Sequence, residues 1–119
     1  MTPIYYHNPR CSKSREGLEL ITQSGMAFQV KEYLKEPLTK MELERLFKKL
    51  GPSASGIIRK KEPIYKDLNL KDKVLSQTEE IQMILENPIL LERPILETHD
   101  QALIGRPPEN FKKILKDTM

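Results

Sequence analysis

The opening of the chain limits the possible folds most, because two strand patterns flank a helix pattern with hardly any residues between them. Residues 3–7 (PIYYH) are apolar and aromatic, which favours a buried strand, and residues 27–34 (AFQVKEYL) carry apolar side chains at near-alternate positions. Residues 12–24 have apolar side chains at helical spacing, and Gly25 follows as the expected C′ residue. A β-α-β unit with short connections predicts the beginning of a parallel α/β layer.

A block of helical patterns follows this unit. Thr39 and Glu42 have the spacing of a capping box that opens one helix, and Ser76 and Glu79 have the same spacing at the start of another. Apolar side chains recur at helical spacing after each box. The sequence therefore predicts a helical insertion over residues 39–90, between the second and third strands.

Two short strand patterns and a helix complete the chain. The segments ILET (95–98) and QALIG (101–105) flank a turn at His99-Asp100, which is typical of an antiparallel hairpin. A terminal helix is expected over residues 109–116. The whole order predicts one α/β domain spanning residues 1–119: a thioredoxin-like mixed sheet of about four strands, flanked by helices and carrying the helical insertion.

Composition excludes several classes of protein. No apolar run approaches the ~18–20 residues of a membrane span, and the N-terminus has no basic segment followed by an apolar one. The chain has 1 cysteine, so it can form no internal disulfide, and its cysteine and histidines lack metal-ligand spacing. Its lysines are interleaved with glutamates, and few aromatic residues accompany the net charge of +3. We therefore expect a cytoplasmic monomer without a metal, a membrane span or a nucleic-acid partner.

The single cysteine lies where a turn meets the first helix. A helix N-terminus and nearby cations stabilise a thiolate, and Arg10, Lys13 and Arg15 all lie close to Cys11 in sequence. The alternative is an inert core cysteine, but the polar, turn-forming neighbours of Cys11 favour a reactive one. Because no second cysteine exists, the second electron pair of any redox cycle must come from an external thiol.

Five further residues are candidates for the same site. His7, at the end of the first strand, can lower the thiol pKa or transfer a proton, and the hydroxyl of Ser14 can donate a hydrogen bond to the thiolate. Arg59, Arg93 and Arg106 all lie at element ends or in loops, where binding sites are usually built. Guanidinium groups bind tetrahedral oxyanions through paired hydrogen bonds, although a single arginine is more often a surface residue.

The segment YHNPRCSKSR, residues 6–15, resembles the active-site segment of the glutathione/glutaredoxin-dependent arsenate reductase family. Asn8 and Ser14 belong to this segment and are expected to support the site. Arg10 stands where the family's best-known members carry a small residue. Other segments match the family in order and spacing: Ile58-Arg59-Lys60, Asn87-Pro88-Ile89-Leu90, Arg93-Pro94-Ile95 and Gly105-Arg106-Pro107.

The resemblance implies a thioredoxin-like fold in which Pro94 follows a cis peptide bond and faces the cysteine. Cys11 would attack arsenate, and His7 would activate it. Glutathione, as co-substrate, would attack the thiol–arsenate adduct and release arsenite, and glutaredoxin would clear the mixed disulfide. No bound cofactor is implied. The residues that would bind the oxyanion are Arg59, Arg93 and Arg106.

Two other functions remain open at this point. One is a glutathione-dependent thiol-disulfide reductase that acts on a different substrate. The other is a redox-linked transcription adaptor that binds RNA polymerase, a role known in the wider superfamily. Such adaptors typically carry Cys-x-x-Cys, so Ser14, in the place of the second cysteine, weighs against this role.

Overall fold

The computed structural model describes residues 1–118 and their side chains through Leu115. Its centre is a four-stranded sheet in the order β2-β1-β3-β4. β1 pairs in parallel with β2, whereas β1–β3 and β3–β4 are antiparallel. The mixed sheet and the hairpin predicted from the sequence are confirmed. The strands are β1 (Ile4–Tyr6), β2 (Gln29–Lys31), β3 (Ile95–Glu97) and β4 (Ala102–Ile104).

Helices connect and flank the strands, and three of them lie in the insertion between β2 and β3. Among the residues that the structure describes, none of the helices is long and apolar enough to cross a membrane. The five α-helices are α1 (Ser12–Gln23), α2 (Lys40–Leu50), α3 (Pro63–Asp67), α4 (Gln77–Glu86) and α5 (Lys112–Thr118). Short 3-10 helices occupy Gly51–Gly56, Leu70–Asp72, Pro88–Leu90 and Pro108–Phe111.

Both predicted capping boxes are confirmed. The Glu42 N–H donates to Thr39 Oγ1 at 3.1 Å, and the Thr39 N–H donates to Glu42 Oε1 at 2.9 Å. Ser76 and Glu79 exchange the same pair of hydrogen bonds at the start of α4. These bonds satisfy N–H groups that have no partner inside the helix, so the sequence sets both starting points locally.

The second strand is shorter than predicted. Of the expected residues 27–34, only Gln29–Lys31 pair with β1. The chain then turns, and the N–H groups of Lys35 and Glu36 both donate to the Glu32 carbonyl at 2.9 Å. Tyr33 is buried at this turn, so its side chain is anchored in the core while the backbone leaves the sheet.

The alternation of side chains along the strands divides the core between the two faces of the sheet. On one face, Tyr6 and Ile95 pack with the apolar side chains of the helical insertion. On the other face, Tyr5 and Leu96 pack with α1 and the C-terminal segment around Phe111. All four of these strand residues are fully buried.

Close packing holds the loop before β3 against α1. The Arg93–Pro94 bond is cis, as the resemblance implied, and the Arg106–Pro107 bond, which had not been expected, is also cis. A Cβ atom added to Gly17 would lie 3.2 Å from Pro94 Cγ, and one added to Gly105 would overlap the Phe111 ring. Glycine at these two positions lets α1, the Pro94 loop and the end of β4 approach one another.

Candidate active site

The candidate site lies at one edge of the sheet. Tyr6, at the end of β1, pairs with Ile95 at the start of β3, and Ile95 pairs with Ile104 at the end of β4. The segment that follows β1, the segment that precedes β3 and the segment that follows β4 therefore lie at the same edge of the sheet. This topology brings the cysteine loop after β1 beside Arg93, which precedes β3, and Arg106, which follows β4.

Cys11 is the N-cap residue of α1 and is partly buried. Its N–H donates to the Asn8 carbonyl at 3.0 Å, and its own carbonyl accepts from the Arg15 N–H at 3.0 Å. Asn8 Oδ1 accepts a hydrogen bond of 3.0 Å from the Arg10 N–H. This turn ends the strand and fixes Cys11 where the first N–H groups of α1 have no partner within the helix.

The surroundings of Cys11 favour its thiolate. Burial raises the thiol pKa, but hydrogen bonds from the Ser14 N–H and the Arg93 guanidinium, together with the charge of Arg106 and the Lys13 N–H, outweigh burial and hold the pKa below its usual value. Arg106 Nη2 lies 3.4 Å from the sulphur. The candidate nucleophile therefore faces both a helix N-terminus and two arginines.

His7 and Ser14 form a buried network behind the cysteine. His7 Nδ1 lies 2.8 Å from Ser14 Oγ, which also accepts a 3.0 Å hydrogen bond from the Asn8 N–H. Sequence reasoning assigned the Ser14 hydroxyl to the thiolate. In the structure the hydroxyl instead faces His7, and it is the Ser14 N–H that forms a hydrogen bond with the sulphur. Burial, with a smaller effect of Arg15, holds the pKa of His7 below its usual value despite Glu32, so a protonated imidazole is disfavoured.

The three predicted arginines come together through two carboxylates. Glu62 Oε1 accepts from Arg59 Nε at 2.8 Å and from Arg93 Nη2 at 3.1 Å. Glu92 Oε1 accepts from Arg59 Nη1 at 2.9 Å and lies 3.0 Å from Arg106 Nε. Three guanidinium groups and two carboxylates leave this cluster with one excess positive charge.

An isolated bridge places Arg59 in the cluster. Ile58 pairs with Leu91, the Arg59 N–H donates to the Leu90 carbonyl, and the Glu92 N–H donates to the Ile57 carbonyl, both at 2.7 Å. Sequence reasoning did not identify this bridge, because two residues leave no periodic pattern. It also missed Glu62 and Glu92, although Glu62 follows Arg59 by three residues and Glu92 immediately precedes Arg93.

Arg93 is the most deeply placed of the three arginines. Its residue is 6% exposed, and Nη1 donates to the Ile89 carbonyl at 3.0 Å. Its Nε atom is buried and has no hydrogen-bond partner among the residues that the structure describes. A buried donor without an acceptor is unfavourable, so this guanidinium can gain a hydrogen bond if a ligand brings an oxygen to it.

Two clefts lie beside residues of the candidate site. One, of about 350 Å³, lies between the cysteine loop and the turn after β2. The other, of about 320 Å³, opens onto the arginine cluster and is flanked by Lys60 and Lys61. Over the described part of the chain, no group of three or more His, Cys, Asp or Glu side chains could hold a metal ion. The first cleft is lined by His7, Asn8, Pro9, Arg10, Glu32, Leu34 and Lys35.

Comparison with known proteins identifies the family. The model of the ArsC family matches residues 6–114. The chain belongs to the ArsC family. An arsenate reductase of Haemophilus influenzae is 44% identical over 97% of this chain and 100% of its own length. An arsenate reductase of Neisseria meningitidis serogroup A is 43% identical over 92% of this chain and 95% of its own length. The uncharacterized protein YfgD of Escherichia coli is 48% identical over 92% of this chain and 93% of its own length.

Solved structures of ArsC-type proteins have the same fold. An arsenate reductase from Vibrio cholerae superimposes with a TM-score of 0.87 at 44% identity, covering 96% of this chain and 98% of its own. An ArsC family related protein from Bacteroides fragilis gives 0.84 at 22% identity, covering 96% and 99%, which is a likeness of fold alone. The resemblance drawn from the sequence motifs and the thioredoxin-like fold are therefore confirmed.

Proposed function

We propose that this ArsC-family chain is an oxidoreductase that reduces arsenate to arsenite, with Cys11 as the nucleophile. The observation that carries the proposal is the position of Cys11 Sγ, 3.4 Å from Arg106 Nη2 and beside a cluster of three arginines. A thiolate next to guanidinium groups suits attack on a tetrahedral oxyanion, because the same cations bind the substrate and stabilise its charge in the transition state. Membership of a family that includes arsenate reductases supports arsenate as that oxyanion.

The reaction begins when the Cys11 thiolate attacks arsenic. A sulphur–arsenic bond forms, and one arsenate oxygen leaves as water after protonation. An external thiolate then attacks the Cys11 sulphur and forms a disulfide with it. The sulphur–arsenic bond breaks and its electron pair stays on arsenic, which leaves as arsenite, reduced by two electrons. The thiolate of a further thiol protein then attacks the mixed disulfide and returns Cys11 to its reduced state.

The external thiol is glutathione in this proposal, and glutaredoxin is the protein that clears the mixed disulfide. The cleft of about 350 Å³ beside the cysteine loop suits such a donor in size and charge. Glu32 Oε1 is buried there, 3.5 Å from Lys35 Nζ, and accepts no hydrogen bond from the described part of the chain. It can therefore accept from the donor's ammonium group. Arg10 and Lys35 are available for its two carboxylates.

The remaining residues support the thiolate rather than react. His7 acts as a neutral imidazole that holds Ser14, and so the first turn of α1, in place. Arg59, Arg93 and Arg106 bind the oxyanion. All the charged groups of the site come from one chain, so a monomer suffices. A catalytic free thiol also suits the reducing cytoplasm, and no bound cofactor is required.

Arsenate reduction with glutathione and glutaredoxin tests the proposal. We expect the wild type to release arsenite and Cys11→Ser to release none above the background without enzyme. Arg93→Ala should retain an alkylatable Cys11 but lose arsenate turnover by about 10²-fold or more, as when one donor to a developing oxyanion is removed. Wild-type turnover no faster than that of Cys11→Ser would exclude arsenate as the substrate. Turnover of glutathione mixed disulfides in that case would identify a thiol-disulfide reductase instead.

The donor cleft is tested separately with Glu32→Gln. We expect a higher KM for glutathione and an unchanged KM for arsenate, because the variant loses the negative charge that attracts the donor's ammonium group. Glu36→Gln, an exposed carboxyl on the same turn, is the matched control. An equal change in both KM values would mean that Glu32 supports the site as a whole.

A further inference from the structure

Glu92 contacts all three arginines of the site through a single atom. Its Oε1 accepts from Arg59 Nη1 at 2.9 Å and from the Arg93 N–H at 3.1 Å, and it lies 3.0 Å from Arg106 Nε. Glu62 contacts two of the arginines and, in the described part of the chain, makes no ion pair with Arg106. Glu92 is therefore the carboxylate through which Arg106 is joined to the rest of the cluster.

A backbone hydrogen bond fixes Glu92. Its N–H donates to the Ile57 carbonyl at 2.7 Å within the isolated bridge. Arg106 Nε donates its hydrogen to the Arg93 carbonyl at 2.9 Å and forms an ion pair with Glu92. These two contacts hold the Nε side of the Arg106 guanidinium, and Nη2 is directed at Cys11.

The carboxylate of Glu92 acts on Cys11 in two opposite ways. Its negative charge opposes a second negative charge on the nearby sulphur. Its contact with Arg106 Nε holds in place the cation that favours the thiolate. Arg106 is partly exposed and has a long flexible side chain. Without its contact to Glu92, the Arg106 guanidinium would therefore lose its fixed orientation first.

We propose that Glu92 is a positioning residue that aligns Arg106 with Cys11 through its Oε1 atom, and that this alignment outweighs the repulsion between its charge and the thiolate. The consequence for catalysis rests on the proposed function. The effect on the thiol does not, because it is present before any substrate binds.

Two variants that remove the same charge separate the two effects. Glu92→Gln keeps an oxygen beside Arg106 Nε, whereas Glu92→Ala removes it. The pH dependence of Cys11 alkylation by iodoacetamide, measured without arsenate, gives the thiol pKa of each. We expect Glu92→Ala to raise it by roughly one unit, a tenfold change in the thiol–thiolate ratio, and Glu92→Gln to leave it unchanged or lower it.

Loss of charge alone would lower the pKa equally in both variants, and that result would overturn the proposal. Glu44→Ala, at an exposed position on α2, is the control for general handling and should match the wild type. If Glu92→Ala does not fold, Glu92→Asp replaces it. The shorter side chain of that variant keeps the charge but moves the oxygen away from Arg106. A positioning role therefore predicts a raised pKa of Cys11, whereas a charge effect predicts an unchanged pKa.

Kinetics distinguishes this proposal from the proposed function. With wild-type arsenate turnover established, Glu92→Ala should raise the KM for arsenate about tenfold or more, and Glu92→Gln should stay within a few-fold of the wild type. Equal losses in both would contradict positioning. If the wild type shows no arsenate turnover, the proposed function fails, and the alkylation measurement still decides the role of Glu92.

Discussion

At the scale of single residues, the charge on Cys11 depends on groups that are far apart in sequence. Burial opposes the thiolate, and the helix N–H groups and two arginines overcome burial, which holds the pKa below its usual value. A depressed thiol pKa means that the reactive thiolate persists as the pH falls, until the pH passes below the folded-state pKa. Alkylation of native Cys11 should therefore stay fast at pH values where an unfolded thiol, with a pKa of ~8.5, is already protonated.

Arg106→Ala tests this account of the thiolate. The variant removes a cation 3.4 Å from the sulphur, so we expect the pKa of Cys11 to rise by roughly one unit. The pH profile of iodoacetamide alkylation measures the shift. Arg10→Ala is the matched control, since Arg10 adjoins Cys11 in sequence yet makes no ion pair among the described residues. An equal shift in both variants would point to general electrostatics instead of this contact.

Ser14→Ala separates structural support from direct activation. Ser14 is fully buried, and its hydroxyl joins His7 to the Asn8 N–H. Leaving these groups without their partner should lower the free energy of unfolding by about 1–3 kcal/mol, measured by urea denaturation. The thiol pKa should move less than in Arg106→Ala, because the N–H that serves the sulphur remains. A pKa rise as large as that of Arg106→Ala would restore a direct role for the hydroxyl.

The sequence predicts which residues form the site better than it predicts the contacts among them. Cys11 follows from turn and helix signals within a few residues, and these are local. The partners Glu62 and Glu92 are ordinary charged residues in sequence, and only the pairing of Ile58 with Leu91 brings them among the arginines. Likewise, nothing within residues 7–14 shows that the Ser14 hydroxyl faces His7, because the burial of both side chains decides it.

At the scale of elements, the junction of α1, the Pro94 loop and β4 leaves no room for larger side chains. A Cβ atom on Gly105 would overlap the Phe111 ring and lie 3.0 Å from Pro94 Cγ. Gly105→Ala should therefore lower the free energy of unfolding by about 1–3 kcal/mol, the usual effect of overpacking. Gly56→Ala is the control, because its added Cβ would lie 3.9 Å from Ile104 Cδ1, an ordinary contact. Urea denaturation that shows equal losses in both would contradict close packing as the cause.

The bounds of the helices and strands show where prediction of the elements succeeds. Helix starts are set by capping side chains within three residues, so Thr39 and Ser76 mark them correctly. Strand ends depend on tertiary packing. β2 stops at Lys31 because Tyr33 is drawn into the core, although its apolar pattern continues to Leu34.

At the scale of the whole molecule, one buried carboxylate joins the sheet to the helical insertion. Glu97 on β3 is fully buried and accepts hydrogen bonds from Tyr6 on β1 at 2.7 Å and from Lys49 on α2 at 2.8 Å. Arg45, also on α2, binds both of its oxygens. Burial raises the pKa of Glu97, but these partners outweigh it and hold the pKa below its usual value.

This pairing makes the stability of the molecule depend on pH. A carboxyl with a depressed folded-state pKa stabilises the fold fully above its unfolded pKa of ~4.3, and the contribution is lost as the pH falls toward the folded-state value. Glu97→Gln should lower the free energy of unfolding at pH 7 by about 3 kcal/mol, as expected when a buried ion pair loses one partner. The difference from the wild type should shrink as the pH falls below ~4.3, because the unfolded wild-type chain then binds a proton that the folded carboxyl binds only at a lower pH. Urea denaturation at several pH values between 3 and 7 measures this difference, and Glu44→Gln, at an exposed position, is the control. A difference that stays constant across this pH range would mean that Glu97 acts through its shape and not its charge.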